Sequence, residues 1–281
     1  MDAALEKTLS KYLIARDELK SQKPKAWDEV VELCERVPGN LDLQTIWMFG
    51  RDKPCWSNIK VAGGERIAQD LQKSPDFDSF EKIASKDWGI VKVGNGRANS
   101  LFDIVGSAAK KYVDGLSKGG FKSYQWKLYS VRQLALALAD KKNGIHALTN
   151  ELIAKQFLDY QQVVPWTKKF QKFAGFGWGY ITANHMLADL GLSIKPDLHV
   201  RRSGVRLGMT IDTPTTLTDT QIDALPAKVD YEIVAKSLQL AEVLDPIARR
   251  GLSGGVKNKI ALREMDKTIM EWSRQGLSRP L

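Results

Sequence analysis

Three glycines spaced by two aromatics, Gly175-Phe176-Gly177-Trp178-Gly179, separate the lysine-rich stretch that begins at Lys168 from a run of helical period, Tyr180 to Leu190. No other stretch limits the fold as strongly. Glycines directly before a helix let the main chain come close to a bulky anion, and the first free N–H groups of that helix point at it. Lys168, Lys169 and Lys172 lie just upstream, in a chain of formal net charge +9 and sequence pI near 9.4. A duplex phosphate is the natural anion for such a turn.

A second motif follows about one helix later: Lys195-Pro196-Asp197-Leu198-His199-Val200-Arg201-Arg202, an acid at a helix start in basic surroundings. Asp after Pro at a helix start is a common N-cap, so Asp197 has an ordinary structural role as well as a chemical one. The two roles are compatible.

Together the motifs resemble the helix-hairpin-helix DNA glycosylases of the endonuclease III superfamily. The family's hairpin glycines have counterparts in Phe173 to Gly177 or in Gly177 to Gly179, followed by Thr182, Ala183 and Asn184. The later family motif matches Pro196, Asp197, Leu198, His199, Val200 and Arg202, then Arg206, Leu207 and Gly208. The resemblance is confined to residues 168–208, and its specificity comes from two ordered motifs at compatible spacing. Members that also cut the strand carry a lysine two residues after the second hairpin glycine. Depending on the register, that position holds Gly179 or Ile181 here, and neither is a nucleophile. The resemblance therefore implies a monofunctional glycosylase that uses water and leaves an abasic site.

Breaking a base–sugar bond builds positive charge on the deoxyribose as the base departs, much as in glycoside hydrolysis. A carboxylate beside that carbon stabilises the charge and can orient or deprotonate the attacking water. Asp197 is the candidate for this role. The resemblance places Gly175, Gly177, Gly179 and Thr182 at the DNA backbone, and Lys168, Lys169, Lys172, Arg201 and Arg202 are the candidate phosphate contacts. Neutralising several phosphates would give a steep salt dependence, with a slope of roughly −0.9 per contact. His199 follows the family pattern, in which it is structural or faces the backbone.

The target atom lies inside a stacked duplex, so the nucleotide must be rotated into a pocket and its gap filled. Of the eight tryptophans, Trp178 in the hairpin and Trp47 and Trp56 beside a cysteine-bearing loop are the candidates for the base pocket. The loop Gly50 to Trp56 mixes charges, proline and an aromatic, as a site-lining loop does. Asn95, in the Gly94-Asn95-Gly96 turn, is a surface turn or a DNA wedge.

Hydrophobic content of 43% and charged content of 27% are those of a globular protein, and no apolar stretch approaches the ~18 residues of a membrane span. The start, Met1 to Leu13, reads as an amphipathic helix rather than a targeting signal. The expected location is the cytoplasm, or the nucleoid in a bacterium. The expected partner is double-stranded DNA with a modified base, bound by a monomer.

Cys34 and Cys55 are the two cysteines and are expected as free thiols. No cysteine follows Asp197, which excludes the four-cysteine iron–sulfur site of many endonuclease III relatives. The scattered histidines exclude zinc by the usual Cys/His spacing. No cofactor is expected, with a monovalent cation at the hairpin carbonyls kept open.

Apolar spacing predicts helices over 2–21, 27–37, 41–49, 59–73, 76–86, 99–117, 122–141, 146–162, 219–225, 230–245 and 257–275, with Pro246 and Gly251 to Gly255 as the break between the last two. The expected fold is all-α. Residues 1–65 would pack with the C-terminal part, 66–190 would form a bundle ending in the helix-hairpin-helix, and 191–281 would carry the acid. In the family the resemblance implies, the DNA-binding cleft runs between two helical subdomains. Three other readings stand beside a repair glycosylase. One is a glycosylase/lyase acting through Lys172 or Lys195. Another excises a hypermodified base from invading phage DNA. The third is a non-catalytic helix-hairpin-helix module that only grips DNA.

Overall fold

The computed structural model describes residues 2–56, 61–73, 75–85, 121–174, 177–248 and 254–281, and its regular elements there are all helical. The helix expected at 99–117, the turn around Asn95, and Gly175 and Phe176 lie outside the described residues. Thirteen α-helices are seen among those described: α1 Ala3–Gln22, α2 Pro24–Glu35, α3 Leu43–Gly50, α4 Val61–Lys73, α5 Phe80–Ser85, α6 Phe121–Ala139, α7 Gly144–Lys155, α8 Val163–Ala174, α9 Tyr180–Asp189, α10 Leu198–Leu207, α11 Asp219–Asp223, α12 Lys228–Ala248 and α13 Gly254–Arg274. None is long and apolar enough to cross a membrane among the described residues.

Local chemistry sets several of these boundaries. Asp2 caps α1 by accepting the Leu5 N–H at 2.7 Å, and Asp42 caps α3 by accepting the Thr45 N–H at 2.6 Å. Thr218 and Gln221 form a reciprocal capping box on α11. The helix expected over 146–162 is corrected by the structure. It stops at Lys155, where Gln156 turns left-handed (φ 61°), and Asp159 then accepts the N–H groups of Gln161 and Gln162 at 2.8 Å before α8 begins. Pro246, expected as a break, lies inside the last turn of α12.

The chain divides into two compact units. One comprises residues 1–40, 155–167 and 187–281, and α13 is its central helix. Helices α1, α2, α10 and α12 all pack on α13. Tyr12, Leu19, Val200, Val205, Met265 and Ile269 are buried in its core. Trp272 donates its indole N–H to Glu18 at 3.1 Å, and Ser203 donates to the Ile269 carbonyl at 2.7 Å.

The other unit comprises residues 41–154 and 168–186. Its α6 buries Val131, Leu134, Ala135 and Leu138 and packs on α3, α5 and the 3-10 turn Lys53–Trp56. Residues 41–65 were grouped in sequence with the first two helices. The structure corrects this boundary, because α3 and the 3-10 turn find their apolar partner in α6.

Candidate active site and nucleic-acid interface

The segment Ser193 to Val200 builds the acid's setting from the main chain outward. Ser193, Ile194 and Pro196 are buried, and the N–H of Asp197 bonds back to the Lys195 carbonyl at 2.7 Å, which folds the chain tightly around Pro196. Asp197 is then extended (φ −76°, ψ −178°) and caps α10, its Oδ1 accepting the N–H groups of His199 and Val200 at 3.1 Å each. Its Oδ2 lies 3.5 Å from the Lys195 ammonium, and the Asp197 side chain is 23% exposed. The cap thus occupies one carboxylate oxygen and leaves the second beside the Lys195 ammonium. His199 faces α13 instead, with Nδ1 3.1 Å from the Ser273 hydroxyl.

Below the turn lies a buried ionic network. The Lys195 N–H donates to Asp266 at 2.7 Å, and the other oxygen of Asp266 meets Lys267 at 3.2 Å and Arg263 at 3.3 Å. Arg263 continues to Asp189, the last residue of α9, at 2.6 Å. Two acids and two bases balance inside the fold. Burial makes such a set a poor source of net stability, and removal of one member is costly.

The arginines after the acid require a correction. Arg201, expected at phosphate, donates to Asp230 at 2.8 Å and to the carbonyls of Asp223 and Pro226. Arg202 pairs with Asp223 and, at 3.0 Å, with Asp219, while Arg206 holds Asp219 and the Ser278 carbonyl. These guanidiniums staple α10 to α11, α12 and the C-terminal segment, and those of Arg201 and Arg202 are committed through all three nitrogens. The hydrogen bond from Arg202 holds the Asp223 carboxyl below its ordinary range. Burial raises that of Asp230 in spite of Arg201.

In the other unit, α8 and α9 flank the glycine turn. Gly177 adopts φ 83°, and a β-carbon on it would lie 1.8 Å from the Ser130 hydroxyl oxygen, so only glycine fits. Gly179 is exposed and open, and its carbonyl accepts the Ala183 N–H at 3.0 Å as α9 starts. Thr182 is half-buried in the first turn of α9, while Lys168, Lys169 and Lys172 are exposed on α8. Phe173, half exposed, seats its ring against Gly144 at the start of α7. The exposed Lys141 and Lys142 lie three and two residues before Gly144. Sequence reasoning singled out Lys168, Lys169 and Lys172 and passed over this pair, whose signal was two adjacent lysines in a basic chain.

The tryptophans are also corrected. Trp178 is fully buried, donates its indole N–H to the Ser130 carbonyl at 2.9 Å, and meets Phe170 edge-on at 5.4 Å. Trp47 is equally buried and donates to the Phe77 carbonyl at 2.9 Å. Both are core anchors with no ring face left for a base. Trp56 retains some exposure but is held by Asp52 at 3.0 Å and by an edge-on contact with His185 at 6.1 Å. The loop around it, expected to line a site, is interior: Arg51, Asp52, Lys53 and Cys55 are all buried.

Both cysteines are free and buried, and burial pushes the Cys34 thiol up to about 12 and that of Cys55 well above the usual range. Among the described residues there is no cluster of His, Cys, Asp and Glu side chains able to hold a metal ion. No protein-family model, curated protein or solved structure matches this chain.

Proposed function

We propose that this protein is a monofunctional DNA glycosylase: it extrudes a modified or mismatched base from duplex DNA and hydrolyses its N-glycosidic bond. The observation that carries the reading is the division of labour on Asp197, whose Oδ1 is fixed by two N–H groups while Oδ2 takes no part in the cap and lies beside Lys195, on a side chain that is 23% exposed. A carboxylate held in this way cannot rotate freely and presents one oxygen to a cationic centre. Helix-hairpin-helix binding of the backbone through the Gly177 turn, with Lys168, Lys169 and Lys172 at phosphates, is part of the same proposal.

In this mechanism the electron pair of the C1′–N bond leaves with the base, and the sugar becomes oxocarbenium-like. Asp197 Oδ2 faces that charge and accepts a proton from the attacking water, whose oxygen bonds to C1′. The departing base takes up a proton from solvent and Asp197 gives its own back, so the products are the neutral free base, an abasic site and the regenerated carboxylate. Base release from a panel of modified and mismatched duplexes tests the reading. Release by the wild type that is lost in Asp197→Asn supports it, and an intact Asp197→Asn activity overturns it.

A second reading is favoured by the 3.5 Å approach of the Lys195 ammonium to Asp197. If Asp197 takes a proton from Lys195, the free amine can displace the base from C1′, and opening of the sugar ring at the C1′–O4′ bond then gives a Schiff base, which makes the enzyme a lyase as well. Borohydride trapping separates the two, since only the Schiff base is reduced to a covalent adduct.

A further inference from the structure

Asp266 is 1% exposed, yet none of its bonds serves the outside of the molecule. Its Oδ1 takes the Lys195 N–H, two residues before Asp197, and its Oδ2 is held by Arg263 and Lys267. The same Arg263 holds Asp189 at the end of α9. One carboxylate on α13 therefore fixes the turn that carries the candidate acid and, through one guanidinium, the end of the helix that follows the glycine turn. Lys195 completes the path, because its main chain is tethered to Asp266 while its ammonium lies 3.5 Å from Asp197 Oδ2.

A buried ionic network is an expensive way to fill an interior, since apolar side chains of similar volume do as well or better for stability. What it offers is direction: charged hydrogen bonds fix an oxygen at one point, where packing alone lets a turn shift. We propose that Asp266 is a positioning residue for the Asp197 carboxylate, acting through the Lys195 main chain and side chain, with Arg263 tying that position to the end of α9. This inference rests on the glycosylase reading.

The test uses the full chain and single-turnover base release under enzyme excess, with affinity measured separately on a duplex containing an abasic-site analogue. Asp266→Asn keeps the shape but removes both ion pairs that aim the acceptor. The release rate constant is expected to fall about tenfold while Kd for the analogue duplex changes less than about twofold. In the double variant with Asp197→Asn, no loss beyond that of Asp197→Asn alone is expected, because the second residue acts only through the first. Hydrogen exchange gives a readout independent of activity. The amides of residues 193–200 should lose protection in Asp266→Asn, while α2 keeps its own.

A folded Asp266→Asn protein that releases base at the wild-type rate overturns the proposal. So does a rate loss that multiplies with that of Asp197→Asn, or one that disappears on cooling together with a global loss of protection. Should Asp266→Asn lose its fold, Arg263→Lys carries the same test, with an expected loss of about threefold; an unchanged rate there overturns the proposal equally. A wild type that releases no base from any duplex overturns the glycosylase reading and this proposal with it, whereas wild-type release with an inert Asp266→Asn substitution overturns this proposal alone.

Discussion

Gly177 and Ser130 are packed so closely that a single added carbon would collide with the serine hydroxyl oxygen 1.8 Å away. The turn between α8 and α9 is thereby seated on the middle of α6, and the Trp178 indole, bonded to the Ser130 carbonyl at 2.9 Å, repeats the attachment one residue later. Both the positive φ and the collision must be relieved in Gly177→Ala, at a combined cost of about 2–4 kcal/mol. Urea unfolding should show this loss, while Gly179→Ala, with open space around its β-carbon, should stay within about 1 kcal/mol of the wild type. A tolerated Gly177→Ala would mean that the turn is not seated on α6.

Asp197→Asn should separate chemistry from capping. Asparagine is as good an N-cap as aspartate, so thermal unfolding should move little. Base release should fall by about 10²–10³ or more, the scale for loss of a fixed electrostatic partner at a developing charge. Asp197→Ala should show the same kinetic loss and, in addition, about 1 kcal/mol of instability from the empty cap. Equal stability of the two variants would argue against the cap geometry.

With Arg201 and Arg202 committed to Asp230, Asp223 and Asp219, the proposed function leaves the phosphates to the lysines. Each of Lys168→Ala, Lys169→Ala and Lys172→Ala should reduce the slope of log K against log salt by roughly 0.9. Arg202→Ala should leave that slope unchanged and instead cost about 1 kcal/mol in unfolding, because its partners lie within the fold. A reduced slope in Arg202→Ala would place this guanidinium at the DNA after all.

Burial raises the carboxyl of Glu264 above its ordinary 4.5, against the opposing pull of Arg16 and of the hydrogen bond from Tyr12. The folded form then holds its proton more tightly than the unfolded form. Its contribution to stability is full below the unfolded value and is lost as pH rises through the folded one. Glu264→Gln has no such proton to lose, so its stability relative to the wild type should improve as pH rises from about 4 through the folded value. Urea midpoints measured across that range check the sign.

The two thiols supply a simpler check. Cys34 and Cys55 are buried with their thiols pushed up, so neither should react with a thiol-specific reagent at neutral pH in the folded state. Two equivalents should appear on unfolding. Rapid native reaction of either would show that its side chain opens to solvent.

Short-range signals were legible in the sequence. The all-helical character, the N-cap at Asp197 and the helix that starts after Gly179 follow from spacing or local backbone chemistry, and the described residues have each of them. Partners far along the chain were not legible. Arg202 looks like a phosphate ligand until Asp219 and Asp223 fold back on it, and Trp178 looks available to a base until its indole finds the Ser130 carbonyl, 48 residues earlier. Asp266 carried no local mark at all, because its meaning depends on an N–H 71 residues away. The helix end at Lys155 was obscured for a different reason: Gln156 adopts a left-handed conformation that its side chain does not advertise.

The order in which the units' segments occur also bears on how the molecule is made. Helices α1 and α2 leave the ribosome well before α13, the helix they rest on; Tyr12 waits 252 residues for Glu264. In the interval their apolar faces lack the cover of α13, and residues 41–154 can begin to assemble before residues 1–40 are able to finish. Synthesis that halts before α13 should therefore yield a chain with one half-built body and a sticky leading end, which quality-control proteases and chaperones are suited to find.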